Sequence, residues 1–267
     1  MATILGSVLM CHAPIVIPAI AGGRAAECAA TTAAMEQAAA WITGTGASRL
    51  LVITPHAERA VDRFLVTGGR RHTGSFSRFG FPDIRVTMDA DTAFHEAVAG
   101  AGPEAPVQAT PAVSLDHGAL VPLWFVARAG YTGRLSVMAL PDGGDPGLYR
   151  RCGEWIAETV AALDEPLVIL ASGDMSHRLQ EDAPCGYHPD GPAFDRYFSA
   201  AIRAGEYEQA LQDDENVRMN AAEDVVESVA VALAATGYSR AGRQFLTYEG
   251  PFGVGYMEAI LNQAGPP

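Results

Sequence analysis

Four of the chain's seven histidines stand at abrupt strand-to-loop junctions. His12 follows Ile4-Leu5-Gly6-Ser7-Val8-Leu9 in the stretch Met-Cys-His-Ala-Pro, and His56 follows Leu50-Leu51-Val52-Ile53 in Thr-Pro-His-Ala. His117 lies in Ser-Leu-Asp-His-Gly, and His177 in Ser-Gly-Asp-Met-Ser-His after Leu167-Val168-Ile169-Leu170. Neutral imidazole binds divalent metals and exchanges protons near neutral pH. In a sheet-based fold, strand ends gather on one edge, where ligands bind. The four histidines therefore predict a metal-centred active site on that edge. His12 and His56 each precede an alanine and have a proline close by, matched settings that mark them as a pair of metal ligands.

A carboxylate would complete a face of two histidines and one acid, which leaves adjacent positions open and suits non-haem Fe(II). The candidates lie in Ala222-Glu223-Asp224-Val225-Val226-Glu227, at the opening of an apolar helix. Acids in a first turn are also ordinary partners of the helix dipole, which accounts for at least one of the three. Glu227 has apolar residues on both sides in sequence and is hard to dismiss as surface, and Glu223 is the other candidate for third ligand. His117 and His177 each have an acid close by, Asp116 and Asp174, able to orient a ring or fix its tautomer. Their natural roles are hydrogen bonding and proton transfer. Cys11 would point away from His12 on an extended strand and reads as core. Glu249, in Tyr-Glu-Gly-Pro-Phe-Gly-Val-Gly-Tyr, reads either as pocket lining or as an acceptor for backbone donors in tight turns.

The elements that must position these groups alternate between strand-like and helix-like runs. This predicts one α/β domain spanning residues 1–267, with a central, largely parallel or mixed sheet flanked by helices. Strands are expected at 4–10, 50–54, 64–67, 135–140, 167–171, 245–248 and 254–260, and helices at 25–41, 91–99, 119–129, 149–163, 194–204 and 221–235. Residues 70–82 are rich in Gly, Arg and Phe and show no helix or strand period, so a loop is expected there, either a lid over the site or a surface excursion.

Composition narrows the function. The 267 residues carry a formal charge of −13, and all 18 basic residues are arginine. Such a charge repels phosphate backbones and anionic lipid, so neither nucleic acid nor membrane is expected as a partner. No apolar run reaches the length of a membrane span, and the first strand does not read as a signal peptide, so a cytoplasmic location is expected. Without lysine, neither a Schiff base nor the P-loop lysine is available. The four cysteines are scattered, without C-x-x-C, and read as reduced thiols. A symmetric homodimer is the default expectation for assembly.

Taken in order, Cys-His-Ala-Pro, Thr-Pro-His-Ala, Gly-Ser-Phe-Ser-Arg-Phe-Gly-Phe-Pro, Leu-Asp-His-Gly, Ser-Gly-Asp-Met-Ser-His and Tyr-Glu-Gly-Pro-Phe-Gly-Val-Gly-Tyr resemble the class III extradiol ring-cleavage dioxygenases of the protocatechuate-cleaving catalytic-subunit type, over residues 4 to 260. The resemblance implies His12 and His56 as Fe(II) ligands, with a glutamate before a late apolar helix as the third; the run Val-Glu-Ser-Val-Ala-Val favours Glu227 over Glu223. It implies His177 as acid/base and His117 as a pocket histidine near substrate and O2. The substrate would be a small catechol-like ring, with Asp116, Asp174, Arg78 and Glu249 as candidate contacts; Arg78, Phe79 and Phe81 would cover the ring or meet a carboxylate on it. The same superfamily includes Memo-like proteins, which carry a cysteine as third ligand. No cysteine lies near residues 220–230, which favours the dioxygenase branch. A non-catalytic Memo-like metal-binding protein and a zinc hydrolase are the alternative readings.

Overall fold

Strands that are apolar at every position are strands covered on both faces. Residues 50–53 and 167–171 have this character, and both runs are completely buried. In the computed structural model, which describes residues 3–212 and 214–264, they form the middle of an eight-stranded sheet. The elements run β1 (Ile4–Met10), α1 (Pro18–Ala21), α2 (Ala29–Gly44), β2 (Arg49–Thr54), β3 (Phe64–Thr67), β4 (Arg71–Phe76), β5 (Phe81–Asp89), α3 (Thr92–Ala99), β6 (Val107–Thr110), α4 (His117–Arg128), β7 (Arg134–Ala139), α5 (Pro146–Leu163), β8 (Leu167–Ser172), α6 (Asp190–Ala204), α7 (Tyr207–Ala210), α8 (Glu215–Ala221), α9 (Val226–Ala235), β9 (Gln244–Glu249) and β10 (Tyr256–Gln263).

The sheet order is β6-β3-β7-β2-β8-β1-β10-β9. Its centre, β7-β2-β8-β1, is parallel. β3 runs against β7, and β10 against β1, so the sheet is mixed. One face is covered by α3, α5, α6 and α9 through residues such as Phe94, Ile156, Phe198 and Val229. The other is covered by α2 and α4 through Met35, Ile42, Leu120 and Val126. The expected single α/β domain with flanking helices is the architecture found. No helix among the described residues is long and apolar enough to cross a membrane.

Two expectations about local structure fail for physical reasons. Residues 70–82 are not an irregular loop. They form most of the antiparallel hairpin β4–β5, whose connection is a short 3-10 turn at Ser77–Phe79. The hairpin buries alternate residues, His72, Gly74 and Phe76 on one strand and Val86 and Met88 on the other. His72 and Gly74 on the buried face hide that period-two pattern, because neither reads as an apolar core residue. The predicted helix 221–235 is also interrupted. α8 ends at Ala221, Ala222 takes a left-handed φ of 54°, and α9 starts only at Val226.

Candidate metal centre

Three parallel strands deliver the site. β1 leads into His12, β2 into His56, and β8 into Asp174 and His177, all at the carboxyl edge of the sheet. His117 is the first residue of α4. Asp116 caps that helix: its Oδ1 accepts from the Ala119 N–H at 3.1 Å and from the Thr54 hydroxyl at 2.6 Å. The glycine of Leu-Asp-His-Gly permits this closeness, because a Cβ on Gly118 would stand 2.5 Å from Thr54 Oγ1 and 3.3 Å from the His56 ring. Gly173 works the same way at the end of β8, where a Cβ would lie 2.4 Å from Val225 Cα. The two glycines let the helix start and the turn before α9 press against the strand ends.

The Nε2 atoms of His12 and His56 are 3.0 Å apart. The carboxylate that meets them is that of Asp224: its Oδ2 lies 3.1 Å from His56 Nε2 and 3.4 Å from His12 Nε2. Glu227, the expected third ligand, is directed elsewhere. Its carboxylate is 3.9 Å from the Arg218 guanidinium and borders an outer pocket with Tyr149 and Tyr238. Glu223, the alternative, is committed to structure. It pairs with Arg218 at 2.6 Å and accepts from the Val225 and Val226 N–H groups, which starts α9. The correction follows from the broken helix: Asp224 sits on a turn facing the histidines, whereas Glu227 sits one residue into the helix that follows.

His12 is prepared as a ligand. The single proton of the Ser172 hydroxyl goes to the Gly118 carbonyl at 2.5 Å, so Ser172 accepts from His12 Nδ1 at 3.0 Å. This fixes the proton on Nδ1 and aims the Nε2 lone pair into the cluster. Ligand atoms about 2.1 Å from a cation and at right angles around it stand about 3.0 Å apart, and the triangle of His12, His56 and Asp224 has edges of 3.0, 3.1 and 3.4 Å. His117 joins them, since one ligand atom from each of the three histidines falls within 4.8 Å of the others.

The electrostatics also call for positive charge here. Burial opposes a charge on His12, yet Asp174 and Asp224 outweigh it and hold its pKa up to about 9. Burial would raise Asp224, but His12 and His56 pull it well below the usual carboxylate range. His117 goes the other way, lowered to about 4 by burial and then by the charges of His56 and His12, so it is neutral at physiological pH. Its ring stacks on His56 at 4.1 Å and meets the edge of Phe79 at 5.7 Å.

Beside the cluster opens a cleft of about 520 Å³, lined by His56, His117, Ser75, Arg78, Phe79 and Ser114 among others. The hairpin tip thus faces the site. Asp174 is buried and does not line this cleft; its Oδ1 accepts from the His12 N–H at 2.8 Å, and its own N–H donates to Asp224 Oδ1 at 2.7 Å. Glu249 is engaged by the Thr31 N–H and hydroxyl, at 2.8 and 2.6 Å. Asp174 is thereby held inside the protein, and Glu249 is anchored through Oε1. His177 donates from Nδ1 to the Ala222 carbonyl at 2.7 Å, which leaves the Nε2 lone pair open. Two functional groups escape the sequence reading, Asp224 and Ser172. Asp224 had a signal, its place in the acidic run; Ser172, at the end of β8, had none.

A sequence profile of the family described as the catalytic LigB subunit of aromatic ring-opening dioxygenase matches residues 6–258. The chain belongs to this family. The LigB match covers both strand-end histidines, the hairpin and the turn that holds Asp224. A Clostridium acetobutylicum relative, Protein CA_C1420, is 32% identical over 273 residues that cover 96% of the chain. The chain spans only 58% of that relative's length. Among solved structures, the uncharacterized Escherichia coli K12 protein JW3007 superposes with a TM-score of 0.64 at 12% identity, covering 96% of this chain and 98% of that one. This likeness extends the fold to a remote sequence.

Proposed function

We propose that this chain is a non-haem Fe(II) dioxygenase that opens catechol-like rings by the extradiol route, adding both atoms of O2. The observation that carries the reading is the triangle of His12 Nε2, His56 Nε2 and Asp224 Oδ2, with edges of 3.0 to 3.4 Å, beside a cleft that a neutral histidine lines. Those three side chains would hold the ion. When bound, Fe(II) supplies a common docking point for two vicinal ring oxygens and O2, and makes a ring hydroxyl more acidic.

The chain's own groups do the rest. The cleft lies within the roughly 300–1,000 Å³ usual for small-molecule sites and accommodates a single substituted ring. Phe79 offers an aromatic face at the entrance, and Arg78 a cation for an acidic substituent. His177, with Nδ1–H tied to Ala222, takes a hydroxyl proton at Nε2 and returns it later. His117, neutral, gives a hydrogen bond to the oxygen side of the reacting pair.

Anaerobic reconstitution with Fe(II), followed by oxygen uptake with a panel of catechols, aminophenols and hydroquinones, tests this. Stoichiometric uptake with a coloured ring-opened product is expected. His177→Ala should keep iron and lose turnover, and His12→Ala should lose iron. Silence across the whole panel, or His12→Ala holding iron like the parent, overturns the reading. Three histidines around one point also suit zinc, and tightly held zinc with no oxygen uptake would redirect the assignment to hydrolysis.

A further inference from the structure

The segment between α8 and α9 does two jobs in three residues. The Ala222 carbonyl holds His177 Nδ1 at 2.7 Å, and Asp224 meets both metal-edge histidines. Between them stands Glu223, whose side chain is only 2% exposed. A buried carboxylate is strongly unfavourable unless it is paired and hydrogen-bonded. Here Oε1 accepts from Arg218 Nε at 2.6 Å, and Oε2 accepts from the N–H groups of Val225 and Val226 at 2.7 and 2.9 Å. Arg218 comes from the last turn of α8, and Val226 is the first residue of α9. The ion pair therefore clamps two helices around a turn whose first residue, Ala222, is held in the left-handed region that ordinary side chains avoid. The turn is tied to β8 as well: Asp224 N–H donates to the Asp174 carbonyl at 3.2 Å. Within this turn, the contact with the proposed ligand pair is made by Asp224.

We propose that Arg218 and Glu223 are positioning residues that set the metal carboxylate and the His177 ring together, so that breaking one ion pair loosens both halves of the site. The inference rests on the metal centre assigned above but does not need the dioxygenase chemistry. Without Arg218, the Glu223 carboxylate loses the partner that holds it in place at Oε1. Its grip on the N–H groups of Val225 and Val226 loosens, and the turn shifts on both sides of residue 223.

The experiment compares parent, Arg218→Ala, Arg218→Lys, Glu223→Gln and Glu227→Gln without substrate. Co(II) affinity is measured against a competing chelator, together with the Co(II) visible spectrum. Amide exchange across residues 221–226 and the tautomer of 15N-labelled His177 are read on metal-free protein. Arg218→Ala is expected to weaken Co(II) binding about 10- to 100-fold, as loss of a group that orients a ligand typically does. It should also alter the spectrum, expose the amides of Val225 and Val226, and relax the Nδ1–H preference of His177. Arg218→Lys and Glu223→Gln should fall between it and the parent, and they carry the comparison if Arg218→Ala does not fold. Glu227→Gln, on the pocket side of Arg218, should match the parent. Parent-like amide protection and His177 tautomer in the folded Arg218 and Glu223 variants overturns the proposal, as does Glu227→Gln weakening Co(II) as much as Arg218→Ala. A parent that binds Co(II) but takes up no oxygen removes the dioxygenase reading and leaves this one standing.

Discussion

The two ends of the parallel sheet handle buried charge in opposite ways. At the amino end, Arg49 is almost wholly buried, yet its guanidinium meets both oxygens of Asp91 at 2.7 Å and Glu165 at 3.1 Å, and Arg134 also pairs with Glu165. Each charge there faces its opposite. At the carboxyl end, three imidazoles crowd together, Asp224 must serve two of them, and Asp174 lies buried close by. Ring nitrogens and a carboxylate brought this close form a donor set that a cation can join, giving up a ring proton as it binds. One end keeps the sheet together; the other keeps a place for something that is not protein.

The largest effect that would break this contrast lies at the amino end. Arg49→Ala leaves Asp91 buried without its partner, and a loss of about 3–5 kcal/mol in the urea unfolding free energy is expected. Divalent-metal affinity of the remaining folded protein should be unchanged; a parallel loss of metal would mean that the two ends are not independent. At the other end, Asp224→Asn should reduce divalent-metal affinity on the order of 100-fold, or about 2.7 kcal/mol, and the metal-free protein should also unfold at lower urea, because buried His12 loses an acid that holds its charge. Excess metal should then stabilise the parent but not the variant, as a thermal shift would show.

A smaller effect sharpens the comparison through pH. Glu258, completely buried, is pushed up to about 8 chiefly by burial, with Asp174 and Glu249 adding to it. An acid whose folded pKa is raised keeps its proton in the folded state while the unfolded chain releases it. Stability therefore falls as pH rises from about 4.5 to about 8, by at most about 1.4 kcal/mol per unit. Glu258→Gln should flatten that fall in metal-free protein and raise stability at pH 7 on the order of 1 kcal/mol. A parent whose unfolding free energy stays level across this range would show that Glu258 finds a solvating partner. The smallest effect concerns the cleft: Arg78→Ala should raise KM severalfold for carboxylated catechols and leave unsubstituted catechol nearly unaffected, measured by oxygen uptake, as fits an exposed charge pair worth at most about 1 kcal/mol.

The sequence made some of these features legible and hid others. His12, His56 and His177 could be read because each lies just beyond a largely apolar strand that stops abruptly, and such strands end on a common edge; His117, which opens α4, was legible only through its Asp-His-Gly setting. Their order along the chain carried the family resemblance as well. The carboxylate that lies beside the histidines was not singled out because hydropathy treats 221–235 as one helix, whereas the left-handed Ala222 interrupts it and the turn brings Asp224 rather than Glu227 toward them. The hairpin was missed because its buried face is not uniformly apolar: His72 and Gly74 precede Phe76 there, while Arg71, Thr73 and Ser75 take the other face, so hydropathy shows no period of two. Asp174 and Glu249 were recognised as polar groups near strand ends, but which donor captures a carboxylate depends on neighbours distant in sequence: His12 for one and Thr31 for the other.

The placement of β1 between β8 and β10 has a consequence for how this protein folds. The strand that leads into His12 pairs on both sides with strands far from it in sequence. His12 therefore meets His56 and Asp224 only after these distant pairings have closed, a slow event because loop-closure entropy is lost before the contacts reward it.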